Sequence, residues 1–257
     1  TTQLVKKVGR IANLREAVDE SVPAFAGIGH TRWATHGPAT ENNAHPHRSQ
    51  NGRFTLVHNG VIENFSELKE TYLSHVNFQS QTDTEVAVNL VEYFAEKEGL
   101  SGKEAFRRAL KEIRGSFAFG LLDEQAPGVL YAAKHKSPLL VGVGNGFNVI
   151  CSDAMATISQ TDTYLEIKDE ELITITKDKV EIETIDGKAV ERTPFKAELD
   201  ADDIEKGAYP HYMLKEMDEQ PAVLRRIIKE YTNEAGELDV PSELLEEIGQ
   251  SDRVYVV

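Results

Sequence analysis

The sequence predicts an α+β fold, with packed sheets that carry helices on the outside. Three helix starts with capping-box spacing, at Asn64, Thr82 and Ser101, fall between residues 64 and 115. From 116 to about 185 the apolar residues recur with a period near two, which is typical of strands. Helices and strands therefore occupy separate stretches of the chain.

The composition describes a globular and acidic chain of 257 residues. Its 28 Lys and Arg against 43 Asp and Glu give a net charge of −15, a poor match for nucleic-acid phosphates or anionic lipid. A single cysteine, Cys151, excludes an internal disulfide, and no apolar run approaches the roughly 20 residues that cross a bilayer. We expect a cytoplasmic protein with no nucleic-acid or membrane partner.

Two short strands are predicted first, at Ala24 to Thr31 and Phe54 to His58, each ending in polar residues. Asn59-Gly60 follows, a dipeptide that readily takes positive backbone dihedrals in a tight turn. The first helix comes next, with apolar residues at helical intervals from Phe65 to Val76.

The other two helices have clear start and stop signals. One begins with the Thr82 and Glu85 box and ends near Gly99, and the next begins at Ser101 and closes at Gly115. Strand candidates then follow at 116–122, 129–134, 138–143, 147–151, 171–176 and 180–185. The last two are expected to form a hairpin across Lys177 to Lys179.

An acidic, unperiodic stretch at 196–206 has the composition of a linker. Beyond it we expect a helical stretch from Tyr212 interrupted by Pro221, a short helix near 242–248, and an apolar strand at Val254–Val257. Such a strand needs neighbouring strands and covering helices, so we expect this region to be the start of a truncated second domain.

The stretch from Gly29 to Gly37 combines a guanidinium with hydroxyl and imidazole groups. Arginine holds a carboxylate through two parallel hydrogen bonds, so Arg32 is a candidate ligand for a carboxylate. An ordinary surface arginine, with Trp33 as a packing residue, is the alternative.

Two further stretches suit amide chemistry. The Asn59 amide and the Gly60 backbone N–H could point together at a developing oxyanion, although an Asn-Gly pair is more often only a turn. Asp83 could accept hydrogen bonds from an ammonium group, although acids in a first helical turn commonly complement the helix dipole.

Metal binding is considered because five of the eight histidines lie between His30 and His58. No His-Glu-x-x-His pattern occurs and Cys151 has no partner cysteine, so we expect no metal site. A metal hydrolase that uses these histidines stays a weaker alternative. Cys151 lies in an apolar stretch and is not expected to be a nucleophile.

Seven motifs in order closely resemble one family: GIGHTRWATHG at 27–37, NAHPH at 43–47, HNGVIEN at 58–64, TDTE at 82–85, GSF at 115–117, SD at 152–153 and HYMLKEMDEQP at 211–221. The family is that of the isomerising glutamine:fructose-6-phosphate aminotransferases, and the matching part is their glutaminase half.

The resemblance implies a four-layer αββα N-terminal-nucleophile hydrolase fold, as in class II glutamine amidotransferases. Residues 1–205 would be the glutaminase domain without its N-terminal segment, and 206–257 a linker and the truncated start of a sugar-phosphate isomerase domain. Glutamine would be hydrolysed to glutamate and its ammonia passed to fructose 6-phosphate, giving glucosamine 6-phosphate for amino-sugar biosynthesis. The resemblance implies no cofactor, and a homodimer for the full-length protein.

The resemblance also implies residue roles. Arg32, helped by Thr35 and His36, would hold the glutamine α-carboxylate, and Asp83 would hold the α-ammonium. Asn59 and Gly60, the expected catalytic residues, would form the oxyanion hole. Trp33 would gate the path of ammonia.

One departure from the family concerns the nucleophile, an N-terminal cysteine several tens of residues before the point that Thr1 matches. Cys151 does not correspond to it. We therefore expect that this polypeptide neither hydrolyses glutamine nor makes glucosamine 6-phosphate. The alternative is a non-catalytic amino-acid-binding module that retains Arg32 and Asp83.

Overall fold

The computed structural model describes residues 2–33, 37–197, 207, 209–233, 236–251 and 253. The chain divides into two compact units, Thr1–Leu199 and Asp200–Val257, and the division falls inside the stretch with linker composition. The first unit contains all the strands of both sheets and the helices that pack on them.

The helices of the first unit are α1 (Ile11–Ala17), α2 (Phe65–Tyr72), α3 (Asp83–Lys97) and α4 (Gly102–Leu110). Two of the predicted caps are confirmed, at the starts of α3 and α4. The hydroxyl oxygens of Thr82 and Ser101 each accept a hydrogen bond from the backbone N–H of the residue three positions later in the chain. The predicted cap at Asn64 is wrong. Its amide instead accepts from the Arg114 N–H and donates to the Glu112 carbonyl, which ties α2 to the segment after α4.

Eleven strands occur in the described residues: β1 (His47–Arg48), β2 (Phe54–Ile62), β3 (Gly115–Asp123), β4 (Leu130–His135), β5 (Leu140–Val143), β6 (Asn148–Cys151), β7 (Thr163–Glu166), β8 (Glu171–Ile175), β9 (Val180–Thr184), β10 (Ala189–Val190) and β11 (Phe195–Lys196). They form two antiparallel sheets, ordered β1-β2-β3-β4-β8-β9-β10 and β11-β7-β5-β6. All six strand candidates between 116 and 185 are present, and β8 and β9 pair as the expected hairpin.

Alternation along β3 explains why the larger sheet lies in the middle of the unit. Phe117, Phe119 and Leu121 pack into one core with residues of α2, α3 and α4. Ala118 and Leu122, on the opposite face, pack into a second core with residues of β5 and β7. One layer of helices and two facing sheets therefore stack through two apolar cores, which corresponds to the α, β and β layers of the expected fold.

Two expectations about strands are wrong. Residues Ala24 to Thr31 contain no strand, since their backbone pairs with none of the described strands. The strand that begins at Phe54 does not stop before a turn at Asn59-Gly60 but continues to Ile62, in unbroken register with β3. Pairing with a distant strand overrides the local turn preference of the dipeptide.

The second unit contains α5 (Tyr212–Glu230) and α6 (Ser242–Gln250). The short second helix is confirmed, but the predicted interruption at Pro221 is wrong because α5 continues through that residue. The helix tolerates the ring although it loses one backbone donor there. The expected strand at 254–257 lies outside the described residues. None of the described helices is both long and apolar enough to cross a membrane.

Candidate glutamine-binding site

A cavity of about 220 Å³ lies where the end of β2 meets the start of α3. Five of the seven residues singled out in the sequence line it: Arg32, Trp33, Asn59, Gly60 and Asp83. The other two, Thr35 and His36, lie outside the described residues. Residues from three separate sequence stretches therefore meet in one place.

Asp83 enters the cavity as the first residue of α3, and it is 5% exposed. Its Oδ2 accepts a hydrogen bond from the backbone N–H of Ile62, at an N to O distance of 2.7 Å. No described residue bonds to Oδ1. One carboxylate oxygen thus fixes the helix to the strand, and the other is available to a ligand.

Arg32 lines the same cavity as Asp83 and has a basic side chain, opposite in chemical type to the carboxyl group. Its Nη1 and Nη2 donate to the carbonyls of Pro38 and Gly37, at 2.9 and 3.1 Å. These bonds orient the guanidinium while the side chain stays only partly buried. A cation and an anion in one small cavity match the two charged ends of a free α-amino acid.

Two features require a glycine at position 60: its backbone conformation and its close approach to Ser116. Its φ of +126° is a conformation that side chains disfavour, and a Cβ there would lie 2.1 Å from the carbonyl oxygen of Ser116. The positive dihedral expected for this dipeptide is therefore present, although inside a strand. The two backbones approach too closely for any other residue.

Imidazole rings form the wall of the cavity behind Asn59. His30 Nε2 lies 2.6 Å from Asn59 Oδ1, and the His30 ring stacks on the His45 ring with centroids 4.1 Å apart. The backbone N–H of His58 donates to His45 Nδ1 at 3.3 Å. The amide of Asn59 is thus held by a ring that is itself held by a second ring.

Two further imidazoles brace the start of α3. His58 Nδ1 lies 3.0 Å from Thr84 Oγ1, and His47 Nε2 lies 3.1 Å from Thr82 Oγ1. His58 and His47 are 4% and 2% exposed, so water has little access to these two hydrogen bonds. The threonines that they contact flank Asp83.

Burial favours the neutral form of three of these rings, His30, His45 and His47. It lowers the pKa of His45 to about 2, with neighbouring His30 adding to the effect, and it lowers the pKa of His47 to about 3, helped by the charge of Lys6. The pKa of His30 is also lowered, first by burial. Asp83 is the acidic residue, and Arg32 the arginine, among the residues that line the cavity.

From the sequence these histidines were candidates only for metal ligands, and their contacts with Asn59 and with the start of α3 were not predicted. Their crowding between residues 30 and 58 was the available signal. In the described part of the chain, no group of three or more His, Cys, Asp or Glu residues has an arrangement that could hold a metal ion.

Cys151 does not line the cavity. It is 8% exposed, at the end of β6, and its sulfur accepts a hydrogen bond from Thr157 Oγ1 at 3.5 Å. Burial raises the pKa of its thiol, so the thiolate is disfavoured.

Comparison with known proteins identifies relatives of this chain. A family model described as a glutamine amidotransferase domain matches residues 30–159. Glutamine–fructose-6-phosphate aminotransferases (isomerizing) from Streptococcus agalactiae serotype III, strain NEM316, and Listeria innocua serovar 6a are 55% and 57% identical over 100% and 99% of this chain. The chain spans 42% of the length of each of these relatives.

Two solved structures share the fold. Glutamine phosphoribosylpyrophosphate amidotransferase from B. subtilis, complexed with ADP and GMP, has a TM-score of 0.51 and 25% identity, covering 61% of this chain and 34% of that one. A structure described as the allosteric regulatory enzyme of purine biosynthesis gives 0.52 and 26% identity, with the same coverage. The fold is that of the N-terminal-nucleophile glutamine amidotransferases. The chain belongs to the glutamine amidotransferase domain family, within the branch of the isomerizing glutamine–fructose-6-phosphate aminotransferases.

Proposed function

We propose that the cavity binds glutamine, as part of the glutaminase site of a longer enzyme that transfers the amide nitrogen to fructose 6-phosphate. One observation carries the proposal: Arg32 and Asp83 line the same cavity as Asn59 and Gly60. A zwitterionic amino acid can therefore be held by both charged ends while its side chain reaches groups suited to an oxyanion.

In this proposal the guanidinium of Arg32 binds the α-carboxylate of glutamine, and Thr35 and His36 assist it. The free Oδ1 of Asp83 accepts a hydrogen bond from the α-ammonium, while Oδ2 keeps its bond to the backbone of β2. Holding both ends of the amino acid fixes where the side-chain amide lies, which lowers the entropy cost of reaction.

Asn59 and Gly60 are assigned to the oxyanion hole. When a nucleophile attacks the glutamine amide, its carbonyl oxygen gains negative charge, and an amide N–H and a backbone N–H can stabilise that charge. Trp33, 89% exposed at the rim of the cavity, is assigned to gating the path by which ammonia leaves.

We propose that the nucleophile is not among these 257 residues; the proposal is supported by their single cysteine, which is buried and does not line the cavity. We infer that the 257-residue polypeptide on its own binds glutamine without hydrolysing it. This inference also supports the second candidate function, a non-catalytic amino-acid-binding module.

The wider activity is proposed from the relatives. Their names describe an aminotransferase that uses glutamine and fructose 6-phosphate, and they are longer than this chain. We propose that an isomerase domain of the same polypeptide receives the ammonia and forms glucosamine 6-phosphate, and that the full-length protein is a cytoplasmic homodimer.

The test uses the full-length gene product, assayed for glutamate release from glutamine and for glucosamine 6-phosphate formation. We expect both products in equal amounts when fructose 6-phosphate is present, and no loss of activity after treatment with a chelator. Calorimetry on the 257-residue polypeptide should show glutamine binding without glutamate release. Binding without turnover by the full-length protein would instead establish the amino-acid-binding module, and activity lost with chelation and restored by metal would establish a metal hydrolase.

A further inference from the structure

His30 makes the most direct side-chain contact with a residue of the proposed oxyanion hole. Its Nε2 lies 2.6 Å from the carbonyl oxygen Oδ1 of Asn59. A side-chain carbonyl oxygen accepts and never donates, so this contact assigns the proton of the neutral imidazole to Nε2. His30 then donates to Asn59.

The direction of that bond decides what the Asn59 amide can do. With Oδ1 occupied by His30, the NH₂ group of Asn59 remains as the part of the side chain that can donate to a substrate. The opposite orientation would present a carbonyl oxygen to the developing oxyanion, and two negative oxygens repel. An asparagine serves an oxyanion only when something fixes the orientation of its amide.

The surroundings of His30 support a fixed ring. It stacks on His45 at 4.1 Å with an interplanar angle of 25°, and His45 Nδ1 in turn accepts the backbone N–H of His58. His58 is the residue before Asn59 in β2, so the ring pair is anchored to the strand that carries the amide. Among the described residues, the buried His30 Nδ1 atom has no hydrogen-bond partner, which is consistent with its being the unprotonated nitrogen.

We propose that His30 is a positioning residue that orients the Asn59 side chain so that its NH₂ group donates to the oxyanion formed during glutamine hydrolysis. This inference rests on the proposed glutaminase function. It assigns no proton transfer to His30, and no bond to the imidazole forms or breaks during the reaction.

The first test compares two substitutions in the full-length protein. His30→Leu removes the donor with a side chain of moderate size, whereas His30→Gln keeps an N–H donor at a reach similar to that of Nε2. We expect His30→Leu to lower kcat for glutamine hydrolysis by about tenfold or more with KM changed less than about threefold, and His30→Gln to keep most of kcat. His75→Leu, at an exposed histidine, is the matched control and should leave both constants unchanged.

A double-mutant cycle then separates positioning from a structural effect. If His30 acts through Asn59, His30→Leu should cause no further loss of kcat in an Asn59→Ala background. Losses that multiply would show that His30 acts independently of Asn59 and would overturn the proposal. So would a His30→Gln variant that is as impaired as His30→Leu.

A binding measurement provides a readout that a general loss of structure would not reproduce. Glutamate γ-semialdehyde can form a tetrahedral thiohemiacetal with a cysteine nucleophile, and its oxygen would occupy the oxyanion hole. We expect His30→Leu to weaken inhibition by this aldehyde by the same factor as kcat, and to leave inhibition by glutamate unchanged. Equal weakening for both ligands would overturn the positioning role. A wild-type protein with no glutaminase activity would instead refute the proposed function itself, and this inference with it.

Discussion

The carboxylate of Asp83 connects the first residue of α3 to the backbone of Ile62, the last residue of β2, through a hydrogen bond of 2.7 Å. Ile62 is fully buried, so its N–H has no access to water as a replacement partner. The same side chain therefore has a structural partner at one oxygen and a proposed ligand at the other.

These two roles of Asp83 can be separated by two substitutions. Asp83→Asn keeps an oxygen that accepts from Ile62 but removes the charge, so we expect KM for glutamine to rise about tenfold or more with little change in Tm. Asp83→Ala leaves a buried N–H without a partner and should also cost about 1–3 kcal/mol of unfolding free energy. Thermal unfolding and glutamine kinetics of the full-length protein check both. A near-normal KM for Asp83→Asn, with both KM and Tm impaired in Asp83→Ala, would show that Asp83 acts only through Ile62.

Arg32→Lys should weaken glutamine capture strongly, because an ammonium cannot reproduce the planar pair of donors that a carboxylate accepts. We expect KM to rise by about tenfold or more. Arg15→Lys is the matched control, since Arg15 lies on α1 with 82% of its side chain exposed. A near-normal KM for Arg32→Lys would contradict the proposed role.

Asn59→Ala should act mainly on the transition state, because the oxygen that its amide is proposed to stabilise gains charge only during reaction. We expect kcat to fall about 100-fold and KM to change much less. Steady-state glutaminase kinetics distinguish the two constants. A variant with equal losses in binding and in turnover would point to a structural role for Asn59.

Gly60→Ala should disrupt the end of β2. The added Cβ would meet the Ser116 carbonyl oxygen at 2.1 Å, in a backbone conformation that alanine disfavours. Gly128→Ala is a matched control because its φ is also positive, at +80°, but no atom lies within 4 Å of the added Cβ. We expect Gly60→Ala to lower Tm much more than Gly128→Ala, and a comparable decrease would mean that the close approach to Ser116 is unimportant.

Stability should fall in mild acid because of the buried imidazoles. The pKa values of His45 and His47, about 2 and about 3 in the folded protein, lie below the ordinary value of 6.5. Below pH 6.5 the unfolded chain takes up protons that the folded chain does not. The contribution of each neutral ring to the free energy of unfolding is therefore fully present above pH 6.5 and is lost as the pH falls.

Each ring contributes a slope of about 1.4 kcal/mol per pH unit between pH 6 and 5. Urea unfolding at several pH values in this window measures the slope, and His47→Gln should reduce it by about that amount. His75→Gln, at an exposed position, should leave it unchanged. An unchanged slope in His47→Gln would mean that this ring is protonated in the folded protein.

Local signals predicted much of this fold. The caps at Thr82 and Ser101 and the hairpin of β8 and β9 depend on residues close in sequence, and all of them are present. The two-residue strand β1 was not predicted, because it forms only where β2 provides its partner. The same long-range pairing placed Asn59-Gly60 inside a strand, although its positive dihedral could be predicted from the residues alone.

Residue types alone left the candidate site open, because a surface arginine, a simple turn and a helix-dipole acid were alternatives for Arg32, Asn59 and Asp83. The resemblance of the motifs to a family selected these residues, and all three line one cavity. The histidine contacts could not be predicted because a hydrogen bond from His30 to Asn59 depends on where a loop and a strand meet in space. Spacing along the chain contains no such information.

The sheltered position of Cys151 has a practical consequence for chemistry on the intact protein. With 8% of the residue exposed and its thiol pKa raised by burial, this sulfur offers alkylating reagents little access and few thiolates. If a longer polypeptide contains further thiols, rapid labelling of the native protein by iodoacetamide would therefore report on those thiols, with almost no background from Cys151.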